Sequence, residues 1–437
     1  KAMSIEGRRN KVLQTLKGHT SDVTSCDFAS NFTLITASID KTVRIWDWLP
    51  GSGYVQRSTS PLKAHKYQVT CVRVSPQGSM LASSSVDGTA ILWNLHSCAK
   101  LYTMTQVNGD AIRVCRFSPD SSILVTAGDN GAVCIWDLVH RSLIKTLFEH
   151  EGTTQALSFT PDSQYLVTAC SLELVKVWYV QDLVDTTLDM VSPMAKIDNA
   201  HDMGVFCVDI SKHIILDENN PLIRQYKLAT SGNTNEIKIW TITSKSVIKE
   251  KTSNDHEVII EPYDIYDGHS SSVTYIRFSN NGLYLVSSSL DKLIKIWDNN
   301  GACLTTLEGH NRYVNCVAIS RDSSLIASGS TGSNDKLVMI WDLTGNLSLD
   351  SELFHHRLSV PNISGIREEH LTENPDLCAN EAKLLEKIDD IAEGAINCRV
   401  HHTALLLVYM LTDTDQCYGP VERKDVAVPY RPVNAHL

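Results

Sequence analysis

The chain is punctuated at short range. Val69-Thr70-Cys71-Val72-Arg73-Val74 alternates, then stops at the turn residues Ser75-Pro76-Gln77-Gly78. Met80 to Ser85 restarts the pattern, Val86-Asp87-Gly88 turns it, and Thr89 to Trp93 makes a third run. Runs this short, rich in β-branched residues and broken by Gly, Pro and Asp, form antiparallel strands rather than helices. The same phrasing recurs along the chain. Seven of the eight tryptophans (Trp46, Trp93, Trp136, Trp178, Trp240, Trp297 and Trp341) close a short β-branched run, and Asp or Asn follows five of them. Their spacings are 47, 43, 42, 62, 57 and 44 residues.

Four of those spacings lie near the ~40–45-residue period of a four-stranded propeller blade. One such blade cannot bury both faces, so blades stack radially until the ring closes and removes the open sheet edge. After Trp341 strand character fades, which leaves the seventh blade without an outer strand. The run Val12-Leu13-Gln14-Thr15-Leu16 resembles the outer runs Lys145–Leu147 and Leu304–Leu307 and stands before the first repeat. The expectation is therefore an all-β, seven-bladed propeller over residues 10–344, closed by the N-terminal strand, with a partly helical or disordered tail over 345–437.

A His stands in a turn upstream of most of these tryptophans, and the GH…S-x-D…WD phrase resembles the WD-repeat superfamily. The resemblance implies a hydrogen-bonded network of turn His, strand Ser or Thr, turn Asp and third-strand Trp in each complete blade. Blade one supplies His19, Thr36, Asp40 and Trp46; blade two supplies His65, Ser83, Asp87 and Trp93. Blade six has His269, Ser287, Asp291 and Trp297, and blade seven has His310, Ser328, Asp335 and Trp341. Blade three departs with Asn108 and Asn130 at the His and Asp positions, blade four with Leu172 and blade five with Thr234 at the Asp position. These three blades are expected to depend more on packing than on buried polar networks.

Charge narrows the partners. The net charge is -11; residues 345–437 hold 8 basic against 15 acidic residues, leaving 31 against 35 on the rest. That balance disfavours broad binding of nucleic-acid phosphates. No stretch approaches the ~18 apolar residues of a membrane span. The twelve cysteines form no C-x-x-C pair, and Cys26, Cys71, Cys115, Cys207 and Cys316 fall at similar strand positions. They read as small buried hydrophobes of a reducing compartment, so the expected location is intracellular, cytoplasmic or nuclear. Asn31-Phe32-Thr33 fits a glycosylation sequon but is read as part of a strand.

Catalysis finds little support. A recurring Ser, His and Asp suggests a hydrolase triad, but here the trio repeats beside strand-closing tryptophans, and no nucleophile elbow, Walker A loop or H-E-x-x-H accompanies it. The pairs His355-His356 and His401-His402 lie in a polar tail and are read as solvated rather than metal-binding. No catalytic residue, metal or cofactor is expected. Surface loops remain. The loop before each first strand and the turn between strands two and three form a rim carrying Ser21, Asp22, Tyr67, Gln68, Asp110, Met203, Arg312 and Tyr313. Tyr, Arg and Met are the side chains enriched at interface cores. Tyr67 and the Arg312-Tyr313 pair flank blade one and are read as one anchor patch. Blade five carries two excesses, around Lys212–Tyr226 and Lys245–Asp264, which would emerge on the opposite face and offer a further binding surface.

The phrases LKGHTSDV, SIDKTVRIWD, IRVCRFSPDSS and GHNRYVNCVAIS are similar to a narrower family that joins WD repeats, a sterile alpha motif and a C-terminal U-box. The resemblance covers roughly residues 10–345. It implies a propeller that recruits substrates beside a U-box that docks ubiquitin-conjugating enzymes. Nothing after 345 resembles the opening of a U-box. Residues 380–391 pattern as an amphipathic helix, with Leu384, Leu385, Ile388 and Ile391 on one face, and suit the last helix of a partial sterile alpha motif. The expected function is a protein-interaction scaffold that recruits substrates or partners, with a link to ubiquitination. A ubiquitin ligase in its own right and a structural subunit of an RNA-protein or other assembly stay open.

Overall fold

The structure is a computed structural model that describes residues 12–216, 220, 222–246, 256–331 and 336–343. The expected helix at 380–391, the two tail histidine pairs and Asp335 lie outside the described residues. Seven four-stranded antiparallel sheets make up the described chain. Six are consecutive in sequence, and the seventh is completed from the N-terminus: Val12–Leu16 pairs with Val338–Asp342, the third strand of blade seven. Ring closure is also side-chain deep, since the Cys26 thiol of blade one donates to Ala327 O of blade seven at 3.7 Å.

The innermost strands are Val23–Ser30, Val69–Val74, Ile112–Phe117, Thr154–Phe159, Val205–Leu216, Val273–Phe278 and Val314–Ile319. Their apolar residues pack against the second and third strands of neighbouring blades, so the core is a set of interblade clusters rather than one central mass. Trp178, Trp297 and Trp341 are among the largest fully buried side chains. Blade turns also interlock closely. Gly88 has φ +76°, and a Cβ there would come within 2.3 Å of Gly109 O in the next blade. Only glycine suits both the backbone and the contact.

Three local features differ from expectation. Asn31 and Phe32 form the turn between Val23–Ser30 and Thr33–Ser38 rather than part of a strand. A short helix, Val180–Val184, follows the third strand of blade four and buries Val180 and Leu183. The blade-five excess lengthens all four strands (Val205–Leu216, Ile223–Gly232, Ile237–Ser246, His256–Tyr266) instead of forming loops alone. Both neighbours hold this extension. Tyr226 donates to Asp162 of blade four at 2.6 Å, Arg224 pairs with the same carboxylate at 3.0 Å, and His213 Nε2 bonds Asn281 O of blade six at 2.7 Å.

Candidate functional site

Each blade contains one buried polar relay. In blade one, His19 Nδ1 lies 2.8 Å from Asp40 Oδ2 and His19 Nε2 lies 2.8 Å from Thr36 Oγ1, which also accepts the Trp46 Nε1 hydrogen bond at 2.9 Å. Blade two repeats this with His65, Asp87, Ser83 and Trp93, and blade six with His269, Asp291, Ser287 and Trp297. In blade seven His310 Nε2 and Trp341 Nε1 meet Ser328 Oγ at 2.7 and 2.8 Å. Where present, the Asp also accepts the backbone N–H of the residue after the His, as Asp87 does from Lys66. Despite burial, hydrogen bonds hold all three carboxylates below the usual range: chiefly from His19 for Asp40, from the Thr89 hydroxyl and the Lys66 N–H for Asp87, and from His269 for Asp291.

Blades three to five are not held by packing alone. In blade four, Thr168 Oγ1 takes Trp178 Nε1 at 2.9 Å and meets His150 Nε2 at 2.7 Å. In blade five, His201 bridges Thr230 at 2.9 Å and Thr234 at 2.8 Å, so a threonine hydroxyl replaces the Asp carboxylate. Blade three corrects the position of its His substitute. Asn108 is exposed in a left-handed turn (φ 59°), whereas buried Gln106 takes the place: its Oε1 accepts from Thr126 at 2.8 Å and its Nε2 donates to Ala132 O at 3.1 Å. Asn130 bonds Asp110 instead, at 2.7 Å. A neutral amide thus fills the role of an imidazole.

Blade four alone leaves its imidazole incomplete among the described residues: His150 Nδ1 is buried without a hydrogen-bond partner, and Leu172 stands where other blades place an acceptor. Replacing Leu172→Asp gives that nitrogen an acceptor, together with the Glu151 N–H. The expected outcome is about 1 kcal/mol of added stability at pH 7, read from urea unfolding; no gain means the nitrogen is already satisfied in solution.

The relays serve structure. Ser83, Ser287 and Thr168 are buried between an indole N–H and an imidazole, so their hydroxyls meet no solvent-borne substrate. Among the described residues no group of three or more His, Cys, Asp or Glu is placed to hold a metal ion, and no helix is long and apolar enough to cross a membrane.

What the relays position is the rim. Tyr67 is 59% exposed, Tyr313 50% and Met203 74%; Arg312 is also exposed, while Gln68 and Asp110 are half-buried. The Gln68 carbonyl accepts Val86 N–H, and Met203 N–H donates to Glu173, so both belong to turns fixed by the fold. Lys41 Nζ stands 5.7 Å from the centre of the Tyr67 ring. Exposed Ile39 joins them from the same turn of blade one, hydrogen-bonded to Asp22 O. Ile39 and Lys41 were not singled out from sequence; both flank Asp40, in the same turn that carries Asp87 in blade two and Asp291 in blade six.

A second missed feature lines the channel. The inner-strand residue opposite the one preceding the relay hydroxyl is Asp27, Arg73, Arg116, Ser158, Asp209, Arg277 and Ala318 in blades one to seven. A charged residue at one register in five blades was the available signal.

Comparison with known proteins places the chain. Residues 10–47, 56–94, 100–137, 141–179, 260–298 and 301–342 match the family described as WD domain, G-beta repeat, together more than half of the chain; blade five, with its lengthened strands, goes unmatched in its first three. A human protein named WD repeat, SAM and U-box domain-containing protein 1 is 32% identical over 290 residues, covering 66% of this chain and 56% of its own length. The chicken protein of that name is 34% identical over 289 residues with the same coverage. Pre-mRNA-processing factor 19 homolog 2 of Arabidopsis thaliana is 35% identical over 187 residues, 42% of this chain and 34% of its own. The chain therefore spans little more than half the length of the human and chicken relatives. Six matched repeats and seven blades, each tied by a tryptophan to a buried hydroxyl, show that the chain belongs to the WD40 family of WD-domain, G-beta-repeat proteins.

Proposed function

We propose that this propeller is a scaffold that recruits protein partners through its rim over blades seven, one and two, and that it serves ubiquitination. The single observation that carries the recruiting face is the run Arg312, Tyr313, Ile39, Lys41 and Tyr67, which gathers exposed aromatic, aliphatic and cationic side chains on rigid turns. Anchors of this kind lose little rotamer freedom on binding and dominate interface energies. Support for the ubiquitin link comes from the relatives whose names join WD repeats to a U-box. On this reading no reaction occurs on the propeller; its contribution is to raise the local concentration of a bound protein beside a separate catalytic module.

The test is a pull-down with the full chain, wild type against Tyr67→Ala/Arg312→Ala/Tyr313→Ala, read by mass spectrometry after circular dichroism shows that both fold. Truncating a hot-spot residue costs about 2 kcal/mol or more, roughly a thirtyfold loss of affinity. Wild-type partners that vanish from the variant, with ubiquitin-conjugating enzymes, ligases or their substrates among them, support the proposal. Matching lists would remove the rim from it and turn attention to the blade-five extension.

A further inference from the structure

The channel ring carries more cations than anions. Arg73, Arg116 and Arg277 face Asp27 and Asp209, with Ser158 and Ala318 at the two remaining positions. These groups meet across the axis. Arg277 reaches Asp209 at 3.4 Å and Asp27 at 3.3 Å, and Arg116 reaches Asp209 at 3.5 Å. Each carboxylate spends its other oxygen on a backbone N–H of the adjoining blade: Asp27 on Val74 and Asp209 on Phe278, both at 2.9 Å. The anions are therefore shared between Arg277 and Arg116, and neither forms an ion pair with Arg73.

Arg73 is left over. It is 3% exposed, and it forms no ion pair among the described residues. Its guanidinium donates to Val72 O at 2.7 Å, Ser25 Oγ at 3.2 Å, Cys26 O at 3.4 Å and the Tyr275 hydroxyl, while its Nε has no hydrogen-bond partner. A buried cation with no carboxylate in ion-pair range keeps part of its desolvation cost. Burial opposes the Arg73 charge, but the nearby Cys71 and Asp27 favour it and its pKa is raised on balance; at Arg116 burial first, and then the nearby Arg277 and Arg73, lower the pKa to about 10. Beside Arg73 and Arg116 lies a cavity of about 60 Å³, lined in addition by the hydroxyl-bearing Ser25, Thr70 and Tyr275. Guanidinium forks and hydroxyl donors converging on one small space match the oxygens of a compact polyanion.

We propose that the channel binds a small oxyanion of the phosphate class, held by Arg73 and Arg116 with hydroxyl donors from Ser25 and Tyr275. The anion offsets the excess of cations in the ring and ties blades one, two, three and six together at the axis. Its site is separate from the rim, so it neither depends on nor tests the recruiting face.

The probe is inorganic phosphate, added to the full chain in a chloride buffer at constant ionic strength, with thermal unfolding as readout. A ligand that binds only the folded state raises the melting temperature in a saturable way. The expected result is a saturable upward shift of several degrees with phosphate that chloride does not reproduce. Arg73→Met loses the response. Because that variant risks misfolding, Ser25→Asp is the second: its carboxylate enters the cavity side of Arg73 and acts as a built-in counter-ion. It is expected to fold, to melt above wild type without phosphate and to be indifferent to added phosphate. Equal shifts with chloride and phosphate would overturn the proposal, as would a folded Ser25→Asp that still responds. So would a thiolate absorbance at pH 7 that Cys71→Ser abolishes, since Cys71, beside Arg73, would then be the counter-ion.

Discussion

Lowering the pH from 7 to about 4 is expected to destabilise this propeller by roughly several kcal/mol before the relay carboxylates are protonated. The cause lies in two buried imidazoles. Burial, reinforced by the nearby Lys176 ammonium, lowers the pKa of His150 to about 4, and burial with Lys238 does the same to His201. The ordinary value is near 6.5. Between these limits the unfolded chain binds protons that the folded chain refuses, so stability falls as pH falls through the window from about 6.5 to 4. Each group contributes on the order of 3 kcal/mol across that window. His65, also shifted down by burial, adds to the same trend. Asp40, Asp87 and Asp291 are held low by their hydrogen bonds, so their contributions are lost only at still lower pH.

Blade three supplies the control for this prediction. Gln106 fills the imidazole position with a neutral amide and still engages the relay threonine. His150→Gln and His201→Gln should therefore keep the fold at pH 7 and flatten the acid limb. Urea midpoints at pH 7 and pH 4.5 measure it. A double variant that unfolds in acid as readily as wild type would show that these histidines do not govern acid stability.

Trp297→Ala is the substitution expected to cost most at constant pH. Trp297 is almost fully buried, donates to Ser287 Oγ at 2.8 Å and packs at an angle against Tyr266 and His269, with ring centres 5.9 and 6.0 Å away. Removing the indole leaves a cavity between blades and strips a hydrogen bond from a buried hydroxyl, a loss of about 3–5 kcal/mol. Trp297→Phe keeps most of the apolar surface and loses chiefly the hydrogen bond, about 1 kcal/mol. Trp240, the half-buried equivalent in blade five, is the comparison, and Trp240→Ala should cost clearly less. Equal losses at the two positions in guanidinium unfolding would contradict the assignment of the effect to burial.

Much of this architecture was legible in the chain, and the reason is the locality of the code. Each blade is a run of hairpins, so the alternation, the turn residues and the closing Trp all lie within about 40–45 residues of one another. The pairing of Val12–Leu16 with blade seven was readable because that run repeats the pattern of an outer strand and the last blade lacked one.

Tertiary structure decided the rest. Gln106 was missed because alignment by spacing pointed to Asn108, and only the left-handed turn at Asn108 carries it outward while Gln106 turns in. The blade-five excess read as loop because the pattern of strands says nothing of their length once neighbours such as Asp162 and Asn281 extend the support. The channel ring is the clearest case. Asp27 and Arg277 are 250 positions apart, and each is an unremarkable strand residue on its own. Closure brings one residue per blade to the axis, where burial removes water and turns scattered charges into a single electrostatic system. The repeat, a local property, determined the fold; the balance of charge at its centre is a property of the closed ring alone.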